Sequence, residues 1–386
     1  MHALESYAAS CNLKIDKPHI SELFFPVAEK RYISLDTSNF SNPYVYDYWQ
    51  EAVNILKPFL DKENISIIQV GKQDDKTIAS VNRSNGNAND NQLAYIIRHS
   101  LLHLSGDALS NQIASHYNKK MVVVFSEGNN KRFEPYWGEQ ENQFYLNGEK
   151  KKNQKSINSI KPEEIAKKVC KSLDIDFTYN YETLYMGAKF VDGLEFVETI
   201  PNQCVNLESI GVKNILFRMD LLFNERYLVE QLQEGRCSVI TSKPININII
   251  KNFKEKISEM VYFMEKDDDP SFCKECQNLG VNVVLVSYLA GEELDKEKLK
   301  FMEINRIIEQ PQNDPSNIKE LQDYSPEELF YKSNKYTLSE AKIYASEAGW
   351  HENKDVKTKN EISKVINTPV FWRQLENFCI LKKKSA

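Results

Sequence analysis

The sequence predicts an α/β protein: two Rossmann-like, parallel-sheet domains followed by a less regular C-terminal extension. Three observations carry this expectation. Short β-branched and apolar runs alternate with amphipathic runs of helical period as far as about Leu173, the pattern of a parallel sheet with helical crossovers. The same style recurs between about residues 179 and 310. From about Pro311 the chain is richer in Asn, Lys and Glu and its periodicity weakens, although Tyr344, Trp350, Phe371, Trp372 and Phe378 suit docking onto a packed surface. The expected division is 1–178, 179–310 and 311–386.

In order along the first domain, RYISLDTS (Arg31 to Ser38) reads as a strand ending in small hydroxyl residues. YDYWQEAVNILKPFLDKEN places Trp49, Val53, Ile55, Leu56, Phe59 and Leu60 mostly on one helical face. ISIIQVGKQDD (Ile65 to Asp75) reads as a buried strand ending at Gly71, and SNGNANDN as a polar loop. NQLAYIIRHS reads as a short helix, LLHLSG as a short strand, Asp107 to Tyr117 as an amphipathic helix and MVVVFS as the next strand. EPYWGEQENQFYLNGEKKKNQKS ends polar and lysine-rich, which favours an exposed loop. KPEEIAKKVCKSL opens with Pro and two glutamates, a favoured helix start. In the second half, strands are expected at LEFVETIP, NILFRMD, CSVITS, EMVYFMEK and VNVVLVSY. Helices are expected at NERYLVEQLQEG, NINIIKNFKEKIS, PSFCKECQNLG and GEELDKEKLKFME.

Composition excludes several classes. The net charge of −6 and the absence of a basic domain argue against a nucleic-acid partner; LKKKSA is a short solvated tail. No apolar run is long enough for a transmembrane span, and the N-terminus lacks a signal-peptide pattern. Seven irregularly spaced cysteines fit a reducing cytoplasm. Cys273-Lys-Glu-Cys276 has neither a second CxxC nor a His pair, so two free thiols are expected there. His99 and His103 are four apart but straddle a helix and a strand, with no third ligand, so no metal site is expected; His116 reads as an ordinary helix residue. No nucleophile elbow, phosphate-binding loop of the Walker type or GxGxxG occurs.

Residues 1 to about 173 resemble the C-terminal, nucleotide-sugar-binding half of heptosyltransferase-like glycosyltransferases of the GT-B fold. The segments that carry it are HALESYAASCNLKID, YISLDTS with YDYWQEAVNILKPFL, NISIIQVGKQDD, and NQLAYIIRHSLLHLSGDALSNQIASHYNKKMVVVFSEGNNKRFEPYW. The chain departs from the family pattern at the helix mouth. Asp-Thr-Gly-Pro-x-His is replaced by Asp107-Ala108-Leu109-Ser110-Asn111-Gln112, which keeps only the Asp. A Gly-Pro-Thr-like turn becomes Ser126-Glu127-Gly128-Asn129, and a lysine before the Trp helix is missing. The donor-like half also comes first, so the halves stand in swapped order or the second domain does something else.

The resemblance implies transfer of a hexosyl or heptosyl group from a nucleoside-diphosphate sugar to a glycan or lipid-linked acceptor. The donor is expected in the crevice between domains, with no metal and no cofactor. Donor-side candidates are Ser38, Gly71, Lys72, Gly106, Asp107, Ser110 and Gln112, because strand-end hydroxyls and a helix N-terminus suit ribose and phosphates. Asp107 has a competing role as a plain helix N-cap. Inverting transfer needs a carboxylate base, and Asp192, Glu195, Glu198 and Asp220 lie on or beside second-domain strands; Glu198 and Asp220 are the two preferred. Arg218 suits either a phosphate clamp or a salt bridge. The rival expectations are a non-catalytic binding or structural protein with an eroded donor site, and a nucleotide-sugar isomerase or epimerase.

Overall fold

The computed structural model describes residues 2–38, 45–84, 86–126, 130–150, 155–190, 196–206, 215–304, 306–309, 318–358 and 360–384. The chain divides into two units, Met1–Asn180 and Tyr181–Ala386.

The first unit contains α1 (Ala3–Ser10), β1 (Tyr32–Asp36), α2 (Trp49–Lys62), β2 (Ser66–Val70), β3 (Asn82–Arg83), α3 (Asp90–His99), β4 (His103–Ser105), α4 (Ser110–His116), β5 (Met121–Phe125), α5 (Asn130–Phe133), β6 (Gln143–Asn147) and α6 (Pro162–Ser172). Its sheet has the order β3-β2-β1-β4-β5-β6, with every neighbouring pair parallel. Chain order reverses between β1 and β4, as in doubly wound nucleotide-binding sheets. β1 and β5 are buried at every residue; β5 reads accordingly as an unbroken apolar run, while β1 buries Ser34 and Asp36 among its apolar residues. α3 begins with a capping box: the Asn89 side chain takes the Gln92 amide at 2.9 Å and the Gln92 side chain takes the Asn89 amide at 3.1 Å. α6 starts at Pro162 and buries Ile165, Ala166, Val169 and Cys170.

Two strands of this sheet were not expected. β3 is only Asn82–Arg83, both exposed, and β6 carries Gln and Asn at its ends, so neither has a strand's usual apolar signature. Both are edge strands, held in register by β2 and β5.

The second unit contains β7 (Tyr181–Met186), β8 (Phe196–Thr199), β9 (Ile215–Arg218), α7 (Glu225–Glu234), β10 (Cys237–Thr241), α8 (Ile247–Phe253), β11 (Ile257–Phe263), α9 (Ser271–Asn278), β12 (Val283–Ser287), α10 (Gly291–Lys300) and β13 (Ile307–Glu309). It continues with β14 (Leu329–Ser333), β15 (Lys335–Ser339), β16 (Lys342–Tyr344), α11 (Glu347–His351), β17 (Ser363–Lys364), α12 (Pro369–Arg373) and β18 (Phe378–Lys383). The larger sheet runs β13-β12-β11-β10-β9-β8-β15-β16 and is parallel except for the β15–β16 hairpin. Strands β8 to β13 lie side by side in chain order. Right-handed crossovers then lay the intervening helices along one face, and α8 does touch α9.

The segment expected as a less regular extension carries strands of both sheets in this unit. β15 pairs with β8 in parallel, and β14, β17 and β18 join β7 in a four-stranded antiparallel sheet ordered β17-β14-β18-β7. Its aromatic residues form a core of their own: Tyr331, Phe371 and Phe378 are almost fully buried, with ring centroids 4.7–5.0 Å apart. These strands are short and polar at one end, so their pairing depends on partners more than a hundred residues away, such as β8 for β15 and β7 for β18.

Candidate functional site

In the first unit, the carboxyl ends of β1 and β4 stand side by side where chain order reverses, the place where open α/β sheets leave a crevice. The Gly106 amide donates to the Asp36 carbonyl at 3.3 Å and ties the two strand ends together. The buried Asp36 carboxylate accepts from the Ser38 amide at 2.9 Å and from its hydroxyl at 2.6 Å, through the same oxygen. Gly71 ends β2 with φ 120°, and a Cβ there would fall inside van der Waals contact of the Asp75 carboxylate and 3.2 Å from Asp36 Oδ1. Both the backbone conformation and the close approach therefore demand glycine. The Lys72 amide donates to Asp75 Oδ2 at 2.5 Å. Burial raises the Asp75 carboxyl, and the neighbouring Asp36 adds to that.

Asp107 lies between β4 and α4, not in the helix. The N-cap position falls to Leu109 and has no side-chain cap, so Asp107 does not cap α4 and the competing reading is corrected. Its side chain is only 7% exposed and has no hydrogen bond or ion pair with a described residue. Burial pushes its carboxyl up to about 6.

Two of the expected donor residues turn inward instead. The Ser110 hydroxyl lies 3.0 Å from His103 Nε2, and His103 Nδ1 lies 2.9 Å from Ser34 Oγ. Ser34 Oγ donates to Ser100 Oγ at 3.3 Å, and Ser100 Oγ donates to the Ile97 carbonyl at 2.8 Å. With the Ser34 proton so occupied, the chain of donors places the His103 proton on Nδ1 and makes Nε2 the acceptor of Ser110. Every member is buried, so Ser110 is a core partner of His103. Burial pushes the imidazole down to about 4 against a weaker opposing pull from Asp36. The Gln112 amide donates to the Glu134 carbonyl at 3.3 Å and its oxygen accepts from the Tyr136 amide at 3.1 Å, fixing the chain that leads to β6. Ser38, Gly71, Lys72, Gly106 and Asp107 thus gather at the ends of β1, β2 and β4, while Ser110 and Gln112 are structural. Glu127, Gly128 and Asn129 lie outside the described residues.

In the second unit, Arg218 ends β9, is nearly fully buried and faces three carboxylates. It makes a two-pronged contact with Asp220 at 2.9 and 2.8 Å and meets Glu198 at 2.8 Å and Glu347 at 2.9 Å. Glu198 also pairs with Lys335 and accepts from Thr337 Oγ1 at 3.3 Å. Burial alone raises the Glu198 carboxyl, but Arg218 and Lys335 outweigh it and hold the group below the ordinary carboxylate range. Fully enclosed and doubly paired, Glu198 has no route to a substrate and is a structural anion. Asp220 borders a cavity of about 490 Å³ at the carboxyl ends of β9 to β12. Asp192 and Glu195 lie outside the described residues.

Sequence reasoning missed Glu347, Tyr288 and Arg373, which border the same cavity. Glu347 is 129 residues from Arg218, and no local spacing signals that meeting. Cys273 and Cys276 are buried free thiols on α9, raised to about 12 by burial. Among the described residues no group of three or more His, Cys, Asp or Glu side chains could hold a metal ion, and no helix is long and apolar enough to cross a membrane.

No family model matches the chain, and no curated protein matches it. Solved structures do. The E. coli ADP-heptose lps heptosyltransferase II matches at 14% identity and TM-score 0.32, over 44% of this chain and 50% of that one. A glycosyl transferase family 9 structure from Veillonella parvula matches at 12% identity and TM-score 0.32, over 44% and 49%. The E. coli heptosyltransferase WaaC with ADP matches at 12% identity and TM-score 0.32, over 44% and 54%. This chain spans about half the length of each.

Proposed function

We propose that the chain is a glycosyltransferase whose first unit takes a nucleoside-diphosphate sugar at the carboxyl ends of β1, β2 and β4. The observation that carries this is Asp107: a mostly buried carboxylate with no hydrogen bond or ion pair to a described residue, beside a glycine, at the reversal point of a parallel sheet in nucleotide-binding order. A ribose or hexose diol reaching it from solvent would supply donors to its oxygens. Asp36 and Asp75 lie at the neighbouring strand ends, so the site suits the hydroxyl-bearing parts of the donor better than its phosphates.

A second reading, a non-catalytic protein that keeps the fold without the donor site, is favoured by the inward turn of Ser110 and Gln112. Thermal shift and chromatographic assay of nucleoside diphosphate release, with ADP-, UDP- and GDP-sugars, separate the two. Stabilisation together with release on adding a glycan acceptor supports transfer. Stabilisation without release on any acceptor keeps the nucleotide-sugar site and removes transfer, and neither effect with any donor supports the second reading.

A further inference from the structure

We infer that the second unit holds a binding site of its own for a neutral saccharide, in the cavity at the carboxyl ends of β9 to β12. The inference concerns that unit alone and stands whether or not the first unit holds a nucleotide.

The cavity of about 490 Å³ is in the range that encloses a mono- or disaccharide. Its walls present acceptors and donors together. Asp220 and Glu347 are held in place by the buried Arg218 guanidinium, yet each borders the cavity and each carboxylate oxygen keeps a lone pair beyond the one Arg218 uses. Opposite in chemistry are Arg373, with no hydrogen bond or ion pair to a described residue, and the Tyr288 hydroxyl, which also has none. The Tyr288 ring has two ring-face neighbours. It stacks on Phe263 with centroids 5.5 Å apart and planes 11° apart, and the Arg373 guanidinium lies 4.7 Å above it. Leu221 and Leu289 add apolar wall.

Charge decides between ligand classes. The cavity lining carries Arg218, Lys266 and Arg373 against Asp220, Glu265 and Glu347, three of each sign. Lys266 is paired with Glu293 at 3.4 Å. No surplus positive charge remains for an anion, and an anion would have no use for the two carboxylates. An apolar ligand would leave the Arg373 guanidinium and the Tyr288 hydroxyl, which have no hydrogen-bond partner among the described residues, unpaired. A hydroxyl both donates and accepts, so a polyol satisfies the two sets at once, while its C–H faces pack on Phe263 and the leucines.

The test is calorimetric or saturation-transfer titration of the full chain. The neutral probes are glucose, galactose, mannose, N-acetylglucosamine, maltose and cellobiose, and the anionic probes are glucose 6-phosphate and glucuronate. At least one neutral sugar is expected to bind, more tightly than either anionic probe. Arg373→Ala should weaken it about tenfold and Tyr288→Phe several-fold, the effect of removing one donor. Both side chains reach solvent and lack other polar partners, so unchanged circular dichroism and melting are expected for both variants. Failure of every neutral sugar to bind overturns the inference. So does tighter binding of an anionic probe than of the neutral sugars, or wild-type affinity in both variants.

Discussion

Asp107 shows how position and environment together mark a candidate residue. The sequence places it at a helix mouth, where the capping reading and the ligand reading both fit, and only the coordinates remove the first. Its raised carboxyl has a consequence for stability. The folded state holds the proton up to about pH 6, whereas an unfolded Asp releases it near 4, so ionising this group in place costs stability as pH rises through that window. The cost is complete above about pH 6 and absent below about pH 4. Asp107→Asn should therefore melt higher than wild type at pH 7.5, and urea titrations of the two should converge near pH 4. Equal stability at both pH values contradicts the burial argument. His103 works in the opposite sense. Its imidazole is held neutral to about pH 4, so its contribution is full above the unfolded value near 6.5 and is lost as pH falls towards 4. The two slopes offset each other in the wild type, and the Asp107 variant exposes the histidine slope.

At the scale of elements, what was legible depended on where each partner lay. β1, β5, β10 and β12 are buried on both faces, and their mostly apolar runs announced them. β3 and β6 were hidden because edge strands tolerate polar residues. The hub that joins β8, β9 and α11 was half legible: Glu198, Arg218 and Asp220 were each singled out, but Glu347 and Lys335 enter from distant sequence. Arg218→Met leaves three carboxylates without their common cation and should destabilise the protein by about 3–5 kcal/mol in chemical denaturation. A loss under 1 kcal/mol would show that solvent reaches the cluster. α9 gives another check. Cys273 and Cys276 are buried and raised to about 12, so they should resist Ellman's reagent in the native protein, while the exposed Cys11 reacts quickly and Cys204, exposed but raised by burial and the Glu230 carboxylate, reacts more slowly than Cys11. Rapid titration of α9 thiols would mean that the helix opens readily.

For the whole molecule, α/β class followed from alternation of strand and helix, because each buried parallel strand needs a helical return. The role of the C-terminal fifth, residues 311–386, did not follow. Its strands complete two sheets of the second unit, and nothing local in a stretch such as YKSNKYTLS reveals that β15 will lie beside β8. The candidate donor site was legible as a region, through the strand ends and their small residues. The division of that region into ligand-facing and core-facing side chains required the His103 chain and the Gln112 contacts. The account therefore rests on one claim: the carboxyl ends of β1 and β4 are a ligand site in which Asp107 awaits a hydroxyl donor. Calorimetric titration of the wild type and Asp107→Ala with nucleoside diphosphates and their sugars, at pH 7.5, tests it most directly. The account predicts saturable binding of at least one nucleotide sugar, weakened roughly ten- to a hundredfold by the substitution. Absence of binding across the panel, or equal affinity in the variant, would contradict it.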